Sequence, residues 1–205
     1  MYLSRIALNM ERYETMGALQ QTERLHAMIA ACFSLNEKKL WRIDSLKGKS
    51  WLLVLSETPP ISDTISEQIG FIGETWETKD YTPLMERIKE NSAWHFRLTA
   101  NPTQSIPVQG ERGKVKAISV VPKQREWLQR QGEKHGFNVQ QDQFDVVANE
   151  WKHFKHRQEE ITLLSTTFEG YLTVTDPRLF GEVLIQGIGR GKAYGLGLMT
   201  VVSYG

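Results

Sequence analysis

Cysteine is almost missing from this sequence. Its 205 residues include one, Cys32, so no internal disulfide can form and no Cys-based metal site can be assembled. What remains is a buried thiol on a helix, which suits a reducing cytoplasm. Long apolar runs are missing too. No stretch of ~18 apolar residues occurs, which argues against any membrane-crossing helix. The opening Met1-Tyr2-Leu3-Ser4-Arg5-Ile6-Ala7-Leu8 alternates like a strand and lacks the apolar core of a secretory signal. Nor is there an excess of charge of one sign: 25 Lys and Arg stand against 24 Asp and Glu, for a net charge of +1. A strongly basic chain would point directly at nucleic acid. Here such a reading has to rest on where the charges sit.

They are segregated. Between residues 97 and 134 there are eight Lys and Arg against three Glu, and residues 151–157 hold three cations and two histidines with no acid. The remaining composition, 40% hydrophobic and 24% charged, is that of an ordinary globular protein. The length suits two domains of about 100 residues each.

The periodicity predicts the same order of elements twice. The first half opens with a strand at 2–8. A helix follows over 17–33, its stripe made by Leu25, Met28, Ile29, Cys32 and Phe33. Strands at 39–45 and 50–56 flank the turn signal Lys47-Gly48-Lys49. After Pro59-Pro60 come a short helix, 62–69, and a strand, 74–80. Residues 81–93 read as a helical linker. The second half begins with the strand Trp94-His95-Phe96-Arg97-Leu98, stopped by Asn101-Pro102. A helix over 123–135 is anchored by Trp127 and Leu128. Strands at 139–149 and 160–174 flank a polar, basic connection. Asp176-Pro177 supplies an N-cap with proline at the first helical position, and the last strand covers 194–203. A duplicated βαββαβ order predicts an α+β protein of two tandem ferredoxin-like domains, 1–90 and 91–205. That fold alone says little about function.

The most specific local feature is Gly187-Ile188-Gly189-Arg190-Gly191-Lys192-Ala193-Tyr194-Gly195-Leu196-Gly197. Glycines reach positive φ and let another backbone come close. Such a loop can turn N–H groups toward phosphate oxygens, with Arg190 and Lys192 adding cations. It can equally be a tight helix-to-strand turn. A dinucleotide fingerprint fails because Lys192 stands where glycine is required, and a P-loop fails because Ala193 follows Lys192. Two basic clusters accompany the loop. Lys152, His153, Lys155 and Arg157 are expected at a hairpin tip, where Trp151 or Phe154 could stack on a base. Arg112, Lys114 and Lys116 are expected on a loop. Lys123, Arg125, Arg130 and Lys134 follow on a helix, with Lys123, Arg130 and Lys134 sharing a face. Lys47 and Lys49 read as a solvated turn. No metal is expected. His95 and His135 lack ligand partners at helical spacing, and no acidic or Cys cluster surrounds His153 and His156.

The doubled glycine motif resembles the glycine-rich loop of the repeat-associated RNA-binding proteins of CRISPR systems. Further stretches narrow the resemblance: Met1-Tyr2-Leu3-Ser4, Arg97-Leu98-Thr99-Ala100-Asn101-Pro102, Trp127-Leu128-Gln129-Arg130 with Gly136-Phe137, and Phe168-Glu169-Gly170-Tyr171-Leu172-Thr173-Val174. Together they resemble the CasE family, the CRISPR-RNA endoribonuclease subunits of type I-E Cascade complexes, over residues 1 to 205. The resemblance implies a metal-independent endoribonuclease without cofactor. It would bind the hairpin of CRISPR repeat RNA and cut at the hairpin's 3′ base, leaving 2′,3′-cyclic phosphate and 5′-hydroxyl ends. It also implies RNA contacts from the basic hairpin and glycine loop, other Cascade subunits as protein partners, no membrane, and a monomer when free.

The family's catalytic histidine lies on the first helix in a Leu-His context that Leu25-His26 matches. From the residues alone, His26 could instead pack at the core edge. Histidine suits proton transfer near neutrality. In the family a tyrosine stands three residues earlier; here that position is Glu23. Tyr13, Lys38 or Lys39 could assist in its place, or His26 could work with less help. Glu23 also motivates an alternative, a non-catalytic RNA-binding structural subunit. A small-molecule-binding ferredoxin-like protein is the third reading, and the segregated cations argue against it.

Overall fold

The computed structural model describes residues 1–34, 37–108, 110–156 and 159–204. The chain divides into two compact units. The first comprises Met1–Leu84 with His153–Ile161 and Ala193–Gly195. The second comprises Met85–Lys152, Thr162–Lys192 and Leu196–Gly205.

The first unit runs β1 (Tyr2–Leu8), α1 (Tyr13–Gln20), α2 (Thr22–Ala31), β2 (Leu40–Leu46), β3 (Lys49–Ser56), α3 (Thr64–Ile69) and β4 (Glu77–Asp80). Its strands pair antiparallel in the order β2-β3-β1-β4, the ferredoxin-like arrangement. Lys47 and Gly48, with φ of 52° and 75°, form the two-residue turn between β2 and β3. Positive φ at both positions matches the right-handed twist of the strands. The stripe Leu25, Ile29, Cys32 and Phe33 packs on Ile6, Leu8, Leu52 and Val54 from the sheet and on Ile65 and Ile69 from α3. Cys32 is buried, and that burial pushes its thiol pKa up. The single helix expected over 17–33 is two. Gln21, at φ −111° and ψ 82°, leaves helical geometry between α1 and α2. Gly17 and Thr22, both weak helix formers, flank the break.

After α4 (Thr82–Glu86), which lies within the expected linker, come β5 (Ala93–Ala100), β6 (Thr103–Val108), β7 (Glu111–Ala117), α5 (Val121–His135), β8 (Phe137–Asn138), β9 (Phe144–His156), β10 (Glu159–Val174), α6 (Pro177–Gln186), a 3-10 turn at Lys192–Tyr194 and β11 (Met199–Ser203). The sheet order is β11-β5-β10-β8, with β9 also paired to β10. β11, β5 and β10 repeat the positions of β4, β1 and β3, so this unit too is ferredoxin-like. Trp127 of α5 stacks on Phe168 of β10, ring centroids 6.0 Å apart. Gly136, at φ 73°, ends α5 in the left-handed conformation. Asp176 caps α6 as expected, its carboxylate accepting from the backbone N–H groups of Arg178 and Leu179.

Three expectations change. Residues 103–117, read as loop, form the antiparallel ribbon β6–β7, with Gly110 at φ 76° in its turn. The polar connection expected after 149 is mostly strand, because β9 continues to His156 and β10 starts at Glu159. The last strand starts at Met199, not 194, since Lys192–Tyr194 is a 3-10 turn. No helix among the described residues is long and apolar enough to cross a membrane.

Candidate functional site

α2 fixes the candidate catalytic side chain. Leu25 points into the core, and the helical rotation of one residue carries His26 to the exposed side. The core-edge alternative for this histidine is thereby removed. Glu23 is also exposed and lies in the first turn of α2. A carboxylate there interacts favourably with the positive end of the helix dipole, which gives this acid a local structural role.

The three candidate assistants stand differently. Tyr13, the first residue of α1, is 88% exposed. Lys38 is exposed. Lys39 is engaged locally: its Nζ donates to the carbonyls of Ser34 at 3.3 Å and Glu37 at 3.1 Å, and lies 5.9 Å from the Phe33 ring centroid.

The glycine-rich segment separates into two kinds of residue. Gly187, Gly189, Gly191, Gly195 and Gly197 all have positive φ, between 72° and 92°. Gly187, Gly195 and Gly197 are buried. A Cβ on Gly197 would lie 2.7 Å from the Ile188 carbonyl oxygen, and one on Gly195 would lie 2.6 Å from the Trp41 ring. Hydrogen bonds close the loop: Ile188 N–H donates to Gly197 O at 2.9 Å, and Gly197 N–H donates to Thr99 O at 2.6 Å. These three glycines therefore shape a tight turn. Gly189 and Arg190 are exposed, and the Arg190 backbone bridges antiparallel to Asn101. Lys192 is half-buried.

The charge of Lys192 is felt at the end of α5. The pKa of His135 is pushed below its usual value by burial and by the positive charges of Lys134 and Lys192. The second unit thus gathers cations that the sequence shows as belonging to separate clusters. On α5, Lys123, Arg130 and Lys134 are exposed, and their spacing places them on one face. Arg125, by contrast, is tied to the start of β9, donating to Phe144 O at 3.2 Å and to Asp145 Oδ1 at 2.7 Å.

The sequence showed the basic cluster of Arg112, Lys114 and Lys116 but placed it on a loop; it lies on the ribbon β6–β7. Lys114 and Lys116 are exposed at alternate positions of β7, so both project from one face. Arg112 occupies the preceding alternate position, and its side chain lies outside the described residues. Gly110 was a turn signal, but no apolar period flanks it. On β9, alternation divides the other basic run. Trp151 and His153 are exposed, while Lys152 is half-buried and its ammonium pKa is pushed down by that burial. The Lys155 side chain and all of Arg157 lie outside the described residues. Among the described residues, no group of three or more His, Cys, Asp or Glu could hold a metal ion.

A family model described as CRISPR associated protein matches residues 1–202. The CRISPR-associated endoribonuclease Cse3 of Thermus thermophilus is 27% identical over 217 residues, covering 98% of this chain and 99% of that protein. A structure of the CRISPR endoribonuclease Cse3 bound to 19 nt RNA has a TM-score of 0.84 at 24% identity, covering 98% of this chain and 100% of that one. A chain of a CRISPR RNA-guided surveillance complex, captured before nicking, has a TM-score of 0.74 at 20% identity, covering 100% of both chains.

Proposed function

The chain belongs to the CRISPR-associated protein family whose model spans residues 1–202, and from that membership we propose that it is a metal-independent endoribonuclease acting on the hairpin of CRISPR repeat RNA. It binds the stem and cuts at the hairpin's 3′ base. The observation that carries this reading is the end-to-end match to a protein named as an endoribonuclease, with His26 held on the exposed side of α2 beside buried Leu25.

The reaction follows from the RNA's own groups. The 2′-hydroxyl attacks the neighbouring phosphorus, forming an O2′–P bond as the P–O5′ bond breaks. One proton leaves the 2′-oxygen and one reaches the departing 5′-oxygen, so the products are a 2′,3′-cyclic phosphate and a 5′-hydroxyl. Neutral His26 takes the first proton or protonated His26 supplies the second. Holding the attacking and leaving oxygens in line contributes the rest of the rate together with stabilisation of phosphorane charge. Lys38 is the assistant, since Lys39 is engaged by backbone carbonyls and Tyr13 stands between the exposed acids Glu11 and Glu14.

An A-form stem is read by shape and charge. Lys114 and Lys116 on the ribbon, Lys123, Arg130 and Lys134 on α5, His153 on β9, and Gly189, Arg190 and Lys192 on the glycine loop supply that grip, with Gly187, Gly195 and Gly197 holding the loop's shape. The protein works in the cytoplasm, is a monomer when free, and retains its product as a subunit of a Cascade-type surveillance complex. A second reading, an RNA-binding subunit that does not cut, is favoured by Glu23 in the turn before His26.

A labelled repeat hairpin incubated in EDTA with wild type and with His26→Ala decides between them. Cleavage by wild type, and binding without cleavage by the variant, supports the nuclease. Binding without cleavage by both supports the structural subunit.

A further inference from the structure

The first unit carries an apolar surface that catalysis and RNA binding leave unused. Around the start of α1 and the turn after α3, Met10, Met16, Phe71 and Ile72 are all exposed, Ile72 to 93%. The two segments are stitched together. Asn9 N–H donates to Ile69 O at 3.0 Å, Thr15 Oγ1 to Ile69 O at 3.1 Å, and Arg12 to Glu67 O at 2.8 Å. The turn is also held in shape. Glu74 N–H donates to Phe71 O at 3.2 Å, with Gly73 at φ 83° in the turn's third position. Gly70 seals one end, where a Cβ would lie 2.7 Å from Ser66 Cα. Trp76 anchors the other, its Nε1 donating to Ser62 O at 3.1 Å and its ring packing edge-on against Phe33. Apolar side chains exposed as a group on hydrogen-bonded segments, and not scattered singly, mark an interaction surface.

The charge around it selects the occupant. Glu11, Glu14, Glu67 and Glu74 are exposed at its rim. The cation among them, Arg12, is engaged with the carbonyl of Glu67 and lies 3.8 Å from the Glu14 carboxylate. A rim of this sign repels phosphate, so nucleic acid does not fit. We infer that this surface docks a protein whose own apolar patch is rimmed by lysine and arginine, namely another protein subunit of the RNA-guided complex. The inference rests on the assembly role proposed above.

The test titrates the purified remainder of that complex, loaded with guide RNA, with wild type, Ile72→Asp and Glu67→Lys/Glu74→Lys. Both variants are expected to melt and to cut the repeat hairpin like wild type, and each to bind the remainder about ten-fold or more weakly. The loss in the charge variant is expected to shrink as salt rises. Wild-type affinity in both variants overturns the inference. So does altered RNA affinity, which would make nucleic acid the occupant, or a wild-type dimer that Ile72→Asp splits, which would make it a second copy. Wild type that cuts RNA but does not bind the remainder overturns the docking surface and leaves the nuclease standing. Wild type that binds the remainder without cutting does the reverse.

Discussion

The glycine loop makes a quantitative demand that separates turn from surface. Gly197 has φ 92°, and an added Cβ would meet the Ile188 carbonyl oxygen at 2.7 Å and Lys192 Cγ at 3.3 Å. Its neighbours cannot yield cheaply, because Ile188 and Gly197 are joined by a backbone hydrogen bond of 2.9 Å and Gly197 is tied in turn to Thr99. Left-handed backbone costs a non-glycine residue about 1–2 kcal/mol, and forcing atoms into a filled site adds about 1–3 kcal/mol. Gly197→Ala should therefore lose about 2–5 kcal/mol of unfolding free energy. Gly189 also has positive φ, 79°, but the nearest atom to its added Cβ is Trp127 Cζ2 at an ordinary 3.5 Å. Gly189→Ala should lose only the conformational share, about 1–2 kcal/mol. Urea unfolding of the two variants beside wild type measures both. Equal losses, or a larger loss at Gly189, would refute the assignment of Gly197 to the turn. Because Gly189→Ala keeps the fold, its affinity for the repeat hairpin then reads the loop's share in RNA binding.

His26→Ala should slow single-turnover cleavage by about 10²–10⁴-fold, the usual contribution of a general acid or base. Since His26 is exposed, the unfolding free energy should stay within about 0.5 kcal/mol of wild type. A gel assay and a urea curve on the same preparation check the pair. Lys114→Ala/Lys116→Ala should weaken hairpin binding and reduce the slope of log affinity against log salt by about one for each phosphate no longer neutralised, read by filter binding over a salt series. The imidazole of His135 should titrate below its usual ~6.5, because burial and the charges of Lys134 and Lys192 disfavour its protonated form. A folded pKa below the unfolded one contributes stability that is present above ~6.5 and lost as pH falls through the folded value. NMR titration should show the midpoint moving upward in Lys192→Met, and an unmoved midpoint would separate Lys192 from the end of α5.

What could be read in the sequence was what a local signal dictates. Two positive-φ positions at Lys47 and Gly48, a cap at Asp176 before Pro177, and a stripe from Leu25 to Phe33 each fix a turn or a face without help from elsewhere. The exposure of His26 was not so fixed: it stands at the border of that stripe, and only the structure turns it outward. The ribbon β6–β7 was not legible, because it has no apolar period to announce it: Lys114, Val115 and Lys116 are all exposed, and backbone pairing alone defines it. The five loop glycines are equivalent in sequence. They become different only where Trp41 or the Ile188 carbonyl lies behind them. Charge was the least legible property of all. The run 151–157 reads as one basic patch, yet strand alternation turns Lys152 away from the side shown by Trp151 and His153. Lys134 and Lys192 read as unrelated, yet both charges act on His135. A chain of net charge +1 can attract a polyanion only if its acids stand apart from the surface that does so. Within the first unit Glu11, Glu14, Glu67 and Glu74 gather where α1 and α3 meet, and within the second Lys114 and Lys116 on the ribbon and Lys134 at the end of α5 are exposed.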